Sequence, residues 1–210
     1  MFSLRSWLMA KVYDSFMRNA EDKYFSKWRS GLLKNLSGSI LEVGAGTGVN
    51  IFYYPSEVSK LTLTEPDQNM LKILTKKTKQ RNDITVEIHR ASVEKLPFPG
   101  DSFDFVVCTF TMCSVSDPQD SLSEIFRVLK PKGKYVFLEH VANTQNNHVY
   151  KWQKRVEPLW KFAGGNCHMT RNTACEIKTS GFEILELHTT HITGLPAIIN
   201  PFIRGVARKP

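Results

Sequence analysis

The stretch Leu41-Glu42-Val43-Gly44-Ala45-Gly46-Thr47-Gly48 constrains the fold more than any other. An apolar run leads directly into glycines at alternate positions, so a strand ends in a sharp turn whose backbone a ligand can approach without meeting side chains. A short helix follows through Phe52 and stops at Pro55. Strand, glycine loop and helix form the unit from which parallel α/β sheets are built.

That unit recurs. Further strands are predicted over 61–64, 84–89, 103–109, 134–141, 182–191 and 198–207, after a first strand at 39–43. The run over 103–109 is nearly continuous in apolar residues, as expected of a central strand buried on both faces. A helix begins at Pro66 and Asp67 and runs to about Lys79, with Met70, Leu71 and Leu74 inward. Another begins at Asp117-Pro118 and stops at Pro131 and Gly133. A third covers 149–162 with an interruption near Pro158, and a fourth, capped by Thr170, reaches Thr179. The alternation predicts a doubly wound α/β sheet with helices on both faces.

Ahead of it, Leu4, Leu8, Val12 and Phe16, then Tyr24, Phe25, Trp28, Leu32, Leu33 and Leu36, recur at helical spacing. Two amphipathic helices are expected, forming a lid over 1–37 on a core of 38–210 within one domain. The alternative for the first, with Trp7 and Leu8 beside Arg5 and Lys11, is a peripheral position on a membrane surface.

Composition narrows the classes. The 210 residues carry a net charge of +8, but the cations are scattered apart from two runs that read as a helix end and a turn. No nucleic-acid partner is expected. The four cysteines form no CxxC pair and have no histidine at zinc-finger spacing, so no metal is expected. With no signal peptide or long apolar run, a reduced cytoplasmic chain is expected, monomeric or homodimeric.

The loop's spacing discriminates between ligands. Three residues beyond Gly46 stands Val49, where a dinucleotide loop needs glycine, and the Gly-Lys-Ser/Thr of a phosphate loop is missing. What remains is Glu42 two positions before the first glycine, and Glu65 at the end of the second strand. In a doubly wound sheet Glu65 stands at the lip of the crevice, where it can accept from both hydroxyls of a ribose. The competing role is a first-turn acid assisting the following helix.

Here the chain resembles the class I S-adenosylmethionine-dependent methyltransferases. The resemblance covers about 40–141 and rests on Glu42 to Gly48, Glu65, Leu96-Pro97-Phe98, Phe103-Asp104 and Arg127-Val128-Leu129-Lys130-Pro131-Lys132-Gly133. It implies a Rossmann-like, seven-stranded sheet, mostly parallel with an antiparallel C-terminal strand. S-adenosyl-L-methionine is the implied donor and S-adenosyl-L-homocysteine its product. Gly44, Gly46 and Gly48, with Glu42, Ala45 and Asn50, would lie at the methionine part. Glu65 would hold the ribose, and Pro66 and Met70 would flank the adenine. Where the family commonly places an aspartate on the adenine amino group this chain has Ser92, followed by Val93 and Glu94. Ser92 can still accept a hydrogen bond, and the Val93 N–H can reach a ring nitrogen.

A narrower resemblance covers nearly the whole chain. Val107-Cys108-Thr109, Cys113-Ser114-Val115, Glu139-His140-Val141, Glu157-Pro158, Trp160, Cys167 and Arg171, with Tyr13-Asp14, Trp28-Arg29 and Tyr54-Pro55, look like the thiol S-methyltransferases of the animal endoplasmic reticulum. An anchorless relative of these is expected. The implied reaction is in-line displacement by a small, apolar acceptor, with a thiol favoured. The alternatives are C- or O-methylation of a quinone-type lipid, and a non-catalytic module that binds the cofactor or a partner.

Holding nucleophile and methyl carbon about 3 to 3.5 Å apart supplies much of the catalysis in such a transfer. His140 and His168 are the candidates to take a proton, His168 with Arg171 as charge partner; a structural hydrogen bond is the competing role of each. Cys108 and Thr109 are placed at the cofactor, with a small core residue the competing role for Cys108. Tyr13, Thr111, Cys113, Trp152 and Trp160 are assigned to the acceptor pocket, with core packing the alternative for the two tryptophans.

Overall fold

Successive side chains of a strand point to opposite faces, so a strand apolar at every position needs a cover on both sides. The computed structural model describes residues 18–210. It contains β1 (Gly38–Val43), β2 (Val58–Thr64), β3 (Val86–His89), β4 (Phe103–Thr109), β5 (Leu129–His140), β6 (Glu183–Thr190) and β7 (Phe202–Arg208) in one sheet, ordered β3-β2-β1-β4-β5-β7-β6. Strands β1 to β5 pair in parallel, and β7 runs antiparallel between β5 and β6. The strand order reverses between β1 and β4, so their C-terminal ends open onto the crevice where such sheets bind ligands.

The helices are α1 (Ser26–Leu33), α2 (Gln68–Thr78), α3 (Pro118–Val128), α4 (Asn147–Ala163) and α5 (Thr173–Thr179). On one face Leu41, Val43, Val106, Tyr135 and Phe137 pack with Leu122 and Ile125 of α3 and Ile177 of α5. On the other, Ile40, Leu61, Leu63, Val107 and Val136 pack with Leu33 of α1 and Leu74 of α2. Among the described residues no helix is long and apolar enough to cross a membrane.

Asp67 and Asp117 cap α2 and α3 as their positions predict, each accepting two backbone N–H bonds. Several boundaries differ from expectation. The cap of α5 is Asn172 and not Thr170, whose N–H is committed to Glu157 at 2.9 Å. Pro158 lies inside α4 without interrupting it, because Pro158 and Lys154, the carbonyl it leaves without a donor, are both on the exposed side. Helix α3 stops at Val128, and the predicted turn over 130–133 is an irregular opening of β5, with Lys132 at φ 64°. The predicted last strand loses its start to a 3-10 turn, Ala197–Ile199, and β7 begins after Pro201, which has no N–H for a ladder. The short helix after the glycine loop is a 3-10 turn, Val49–Tyr53.

A π-helical turn, Glu21–Phe25, leads into α1. Phe25 packs edge-on against Phe110, just past β4, at 4.8 Å, and against Phe202, the partner of His140, at 5.3 Å. The described part of the N-terminal helical segment therefore covers the C-terminal edge of the sheet. The first predicted helix, with Tyr13, lies outside the described residues.

Candidate active site

The three loop glycines all have positive φ, at 64°, 57° and 80°. Their surroundings separate their roles. A Cβ on Gly44 would lie 2.3 Å from Thr111 Oγ1, and one on Gly48 would lie 2.6 Å from Ile51 Cδ1, so both are needed for close packing. A Cβ on Gly46 would meet only Met70 Sδ, at 4.0 Å. The open stretch of loop is therefore at Gly46.

The loop's N–H groups are largely committed within the protein. Ala45 donates to the Thr64 carbonyl and Gly48 to the Ala45 carbonyl, both at 2.9 Å. Gly46 donates to Glu65 Oε2 at 2.9 Å, and Asp67 donates to Oε1 at 2.8 Å. Glu65 is buried, and desolvation pushes its carboxyl up against the pull of these two bonds. Each oxygen keeps a further acceptor site, so the role at the helix start leaves room for the expected ribose contact. Gly46, Glu65, Pro66 and Met70 thus form one group at the ends of β1 and β2.

Glu42 lies on the same face of β1 as Ile40 and is fully enclosed. Its Oε1 accepts from Asn50 Nδ2 at 3.0 Å and its Oε2 from the Tyr54 hydroxyl at 2.7 Å. Arg29 of α1, also buried, donates to Asn50 Oδ1 at 2.7 Å, Thr109 Oγ1 at 2.9 Å and Glu21 Oε1 at 2.9 Å. Desolvation drives Glu42 up to about 7, opposed by Tyr54, Asn50 and Arg29. Glu42, Asn50 and Thr109 are brought together as expected, but through Arg29 and Tyr54, whose parts no spacing rule revealed.

A second buried carboxylate shapes the loop after β4. Phe110, at φ 55°, turns the chain so that the N–H groups of Thr111 and Met112 reach Glu139 Oε1, both at 3.0 Å, and that of Cys113 reaches Oε2 at 3.2 Å. Positive φ at a bulky residue is unfavourable and persists because the bonds around it over-determine the turn. The Cys108 thiol donates to the same carboxylate at 3.4 Å from a fully buried position, so its side chain packs as a core residue. Desolvation brings Glu139 to about 7 against those backbone bonds.

At the end of β5, His140 is 5% exposed. Its Nδ1 lies 3.6 Å from Cys167 Sγ, and its Nε2 has no hydrogen-bond partner among the described residues. Cys113 and the Trp160 indole N–H face the same sulfur. Cys113, His140 and Trp160 therefore converge, and Cys167, which the sequence marked only by resemblance, is their centre.

The remaining candidates lie outside these three groups. Ser92 Oγ donates to Glu94 Oε2, and Glu94 Oε1 accepts from the Ser116 N–H at 2.7 Å, fixing the approach to α3. Val93 is buried in the core beside them. His168 Nδ1 pairs with Glu157 Oε1 at 3.3 Å. Arg171 is no charge partner for His168: after desolvation it is the next cause lowering the imidazole's pKa, and its guanidinium is committed to the Met112 and Val115 carbonyls. Trp152 is 45% exposed with Arg155 over its ring, because the stripe of α4 that carries it faces outward, away from the other candidates among the described residues.

The geometry fits a nucleoside-bearing donor, with an open glycine backbone and a strand-end carboxylate holding spare acceptor sites at one lip of the crevice. The Methyltransferase domain family model matches residues 41–137. Thiol S-methyltransferase TMT1B of Rattus norvegicus is 35% identical over 215 residues, spanning 98% of this chain and 84% of the relative. A putative methyltransferase from Bacillus halodurans superposes with TM-score 0.71 at 18% identity, covering 90% of this chain and 99% of that one. Geranyl diphosphate methyltransferase in complex with SAM superposes with TM-score 0.70 at 11% identity, covering 88% and 84%. At those identities the two structures speak for the fold; the kinship with TMT1B extends across nearly the whole sequence. The chain accordingly belongs to the class I S-adenosylmethionine-dependent methyltransferases, in the family of the TMT1 thiol S-methyltransferases.

Proposed function

We propose that the protein methylates small apolar thiols. The observation that carries this is the 35% identity with a thiol S-methyltransferase over 98% of the chain. Bound S-adenosylmethionine supplies a sulfonium methyl group open to in-line attack. Gly46, Glu65, Pro66 and Met70 hold the donor at the ends of β1 and β2, with Ser92 and the Val93 N–H at the adenine end. Arg29, Asn50 and Thr109 bound the methionine end.

On the acceptor side stand Thr111, Cys113, Trp160 and His140. With the Nδ1 proton of His140 directed at the Cys167 sulfur, Nε2 presents a lone pair in a buried position. There it accepts the proton that an acceptor thiol must lose, since the thiolate is the nucleophile. A thiol with an ordinary pKa of about 8.5 is already a few per cent ionised at neutral pH, so the help required is modest.

The test is a labelled methyl-donor screen across alkyl thiols, phenols, amines and quinols. Turnover of thiols, lowered in His140→Ala with S-adenosylhomocysteine affinity unchanged, is the expected result. Turnover of quinols alone overturns the thiol reading.

A further inference from the structure

Cys113 and Cys167 come from distant parts of the chain and are held side by side. Cys113 is on the loop after β4, anchored from below by Glu139, and Cys167 is on the connection between α4 and α5. The two segments are laced together around them. The His168 N–H donates to the Cys113 carbonyl at 2.7 Å, Asn166 Nδ2 to the Ser114 carbonyl at 2.8 Å, and the Arg171 guanidinium to the Met112 and Val115 carbonyls. Within this frame the two thiols lie near enough to act on one another's ionisation, and His140 Nδ1 stands 3.6 Å from Cys167 Sγ.

The two thiols are not equivalent. Cys167 is partly exposed, and the nearness of Cys113, followed by that of His140, holds its thiol well below the ordinary range although burial opposes this. Cys113 is buried, and the nearness of Cys167, together with burial, pushes its thiol up. An accessible thiolate backed by a buried thiol is the arrangement in which one sulfur attacks and the other resolves. Methyl transfer to an external acceptor uses neither sulfur.

We propose that Cys113 and Cys167 form a thiol–disulfide exchange site that takes low-molecular-weight disulfides at the edge of the acceptor pocket. The Cys167 thiolate attacks one sulfur of RS–SR, the S–S bond breaks, and RS⁻ leaves while Cys167 carries a mixed disulfide. Cys113 then gives up its proton and attacks Cys167 Sγ, forming the Cys113–Cys167 bond and expelling the second RS⁻, which with that proton leaves as RSH. Two electrons pass from the cysteines to the disulfide. The new bond fastens the loop after β4 to the α4–α5 connection and removes the thiolate that faces His140 Nδ1.

The experiment needs no methyl transfer, so it stands or falls apart from the acceptor assignment. The reduced full chain is treated with bis(2-hydroxyethyl) disulfide at pH 6 and followed by intact mass and peptide mapping. Expected is the loss of two hydrogen atoms with a Cys113–Cys167 cross-link, formed about tenfold faster than an adduct on the exposed Cys175, the thiolate fraction outweighing the lower nucleophilicity of a low-pKa sulfur. Cys113→Ser accumulates the mixed disulfide on Cys167, and Cys167→Ser forms no cross-link. A lasting adduct on Cys167 in the unaltered protein, or reaction there no faster than at Cys175, overturns the proposal. Both readings come from the unaltered chain and are independent of whether the serine variants fold.

Discussion

Glu65 carries two structural tasks and keeps acceptor sites for a third. One oxygen takes the Gly46 N–H and the other the Asp67 N–H, so the carboxylate ties the glycine loop to the start of α2 before any ligand arrives. Its spare acceptor sites are those the donor's ribose would use. Glu65→Ala is expected to weaken S-adenosylhomocysteine binding by roughly 1.5 to 3 kcal/mol, about 10- to 100-fold, the scale of hydrogen bonds to a charged group. Calorimetric titration measures this, and an unchanged affinity removes Glu65 from the ribose. The glycines divide differently. Alanine at either Gly44 or Gly46 is strained by positive φ, costing about 1–2 kcal/mol. Only at Gly44 does the new methyl also collide with Thr111. Gly44→Ala should therefore lower the urea midpoint more than Gly46→Ala, whereas Gly46→Ala should lose more ligand affinity per unit of stability lost.

At the scale of elements, one buried guanidinium adds polar ties between α1 and the sheet to the apolar packing of Leu33. Arg29 spans Glu21 on the preceding turn, Asn50 after the glycine loop and Thr109 at the end of β4. Arg29→Ala leaves the buried Asn50 oxygen and the Glu21 carboxylate without their donor, a change of about 3 kcal/mol, at the low end for a broken buried pair because Glu21 is partly exposed. Urea unfolding should show the loss, and Arg29→Lys should recover only part, since one ammonium cannot reproduce the fork. This helix also shows what the sequence discloses and what it withholds. The glycine spacing, the strand-end Glu65 and the buried run of β4 are local patterns, and each placed its element and its part of the crevice. Arg29 reads as an ordinary cation on an amphipathic helix until the fold brings Asn50 and Thr109 to it. Cys113, His140 and Cys167 are likewise separated by long stretches of chain; the parallel pairing of β4 and β5 brings the first two together, and the α4–α5 connection carries the third to them. Trp152 shows the converse: periodicity marks a stripe on α4 without saying which way it faces, and Trp152, Leu159 and Phe162 are 45%, 71% and 68% exposed.

Across the whole molecule, burying carboxylates gives the stability an unusual dependence on pH, and Glu42 is where it can be isolated. Its folded-state pKa, raised by desolvation to about 7, lies above the ordinary carboxyl value of 4.5. The folded state therefore keeps this proton over a range in which the unfolded chain has lost it. The contribution is full below the unfolded value and is lost as pH rises through about 7, opposite in sign to that of a salt-bridged carboxylate. Its size is at most about 3 kcal/mol. Protonation breaks no bond here, since the Tyr54 hydroxyl that donates to the carboxylate can turn and accept from the carboxyl. Glu42→Gln reproduces the protonated form, its oxygen accepting from Asn50 and its amide donating to Tyr54. Other groups act in other directions: Cys167 is held low by Cys113 and His140, and Asp104, whose pKa the Lys130 ammonium and the Ser39 N–H lower against burial, loses its contribution as pH falls. These act alike in both proteins and cancel in the difference. Urea unfolding at pH 5 and pH 8 should show the unaltered protein losing stability relative to Glu42→Gln across that interval, by up to about 3 kcal/mol. Parallel curves would mean that Glu42 is ionised throughout, and the burial of Arg29 beside it would then be its charge partner rather than a prop for Asn50.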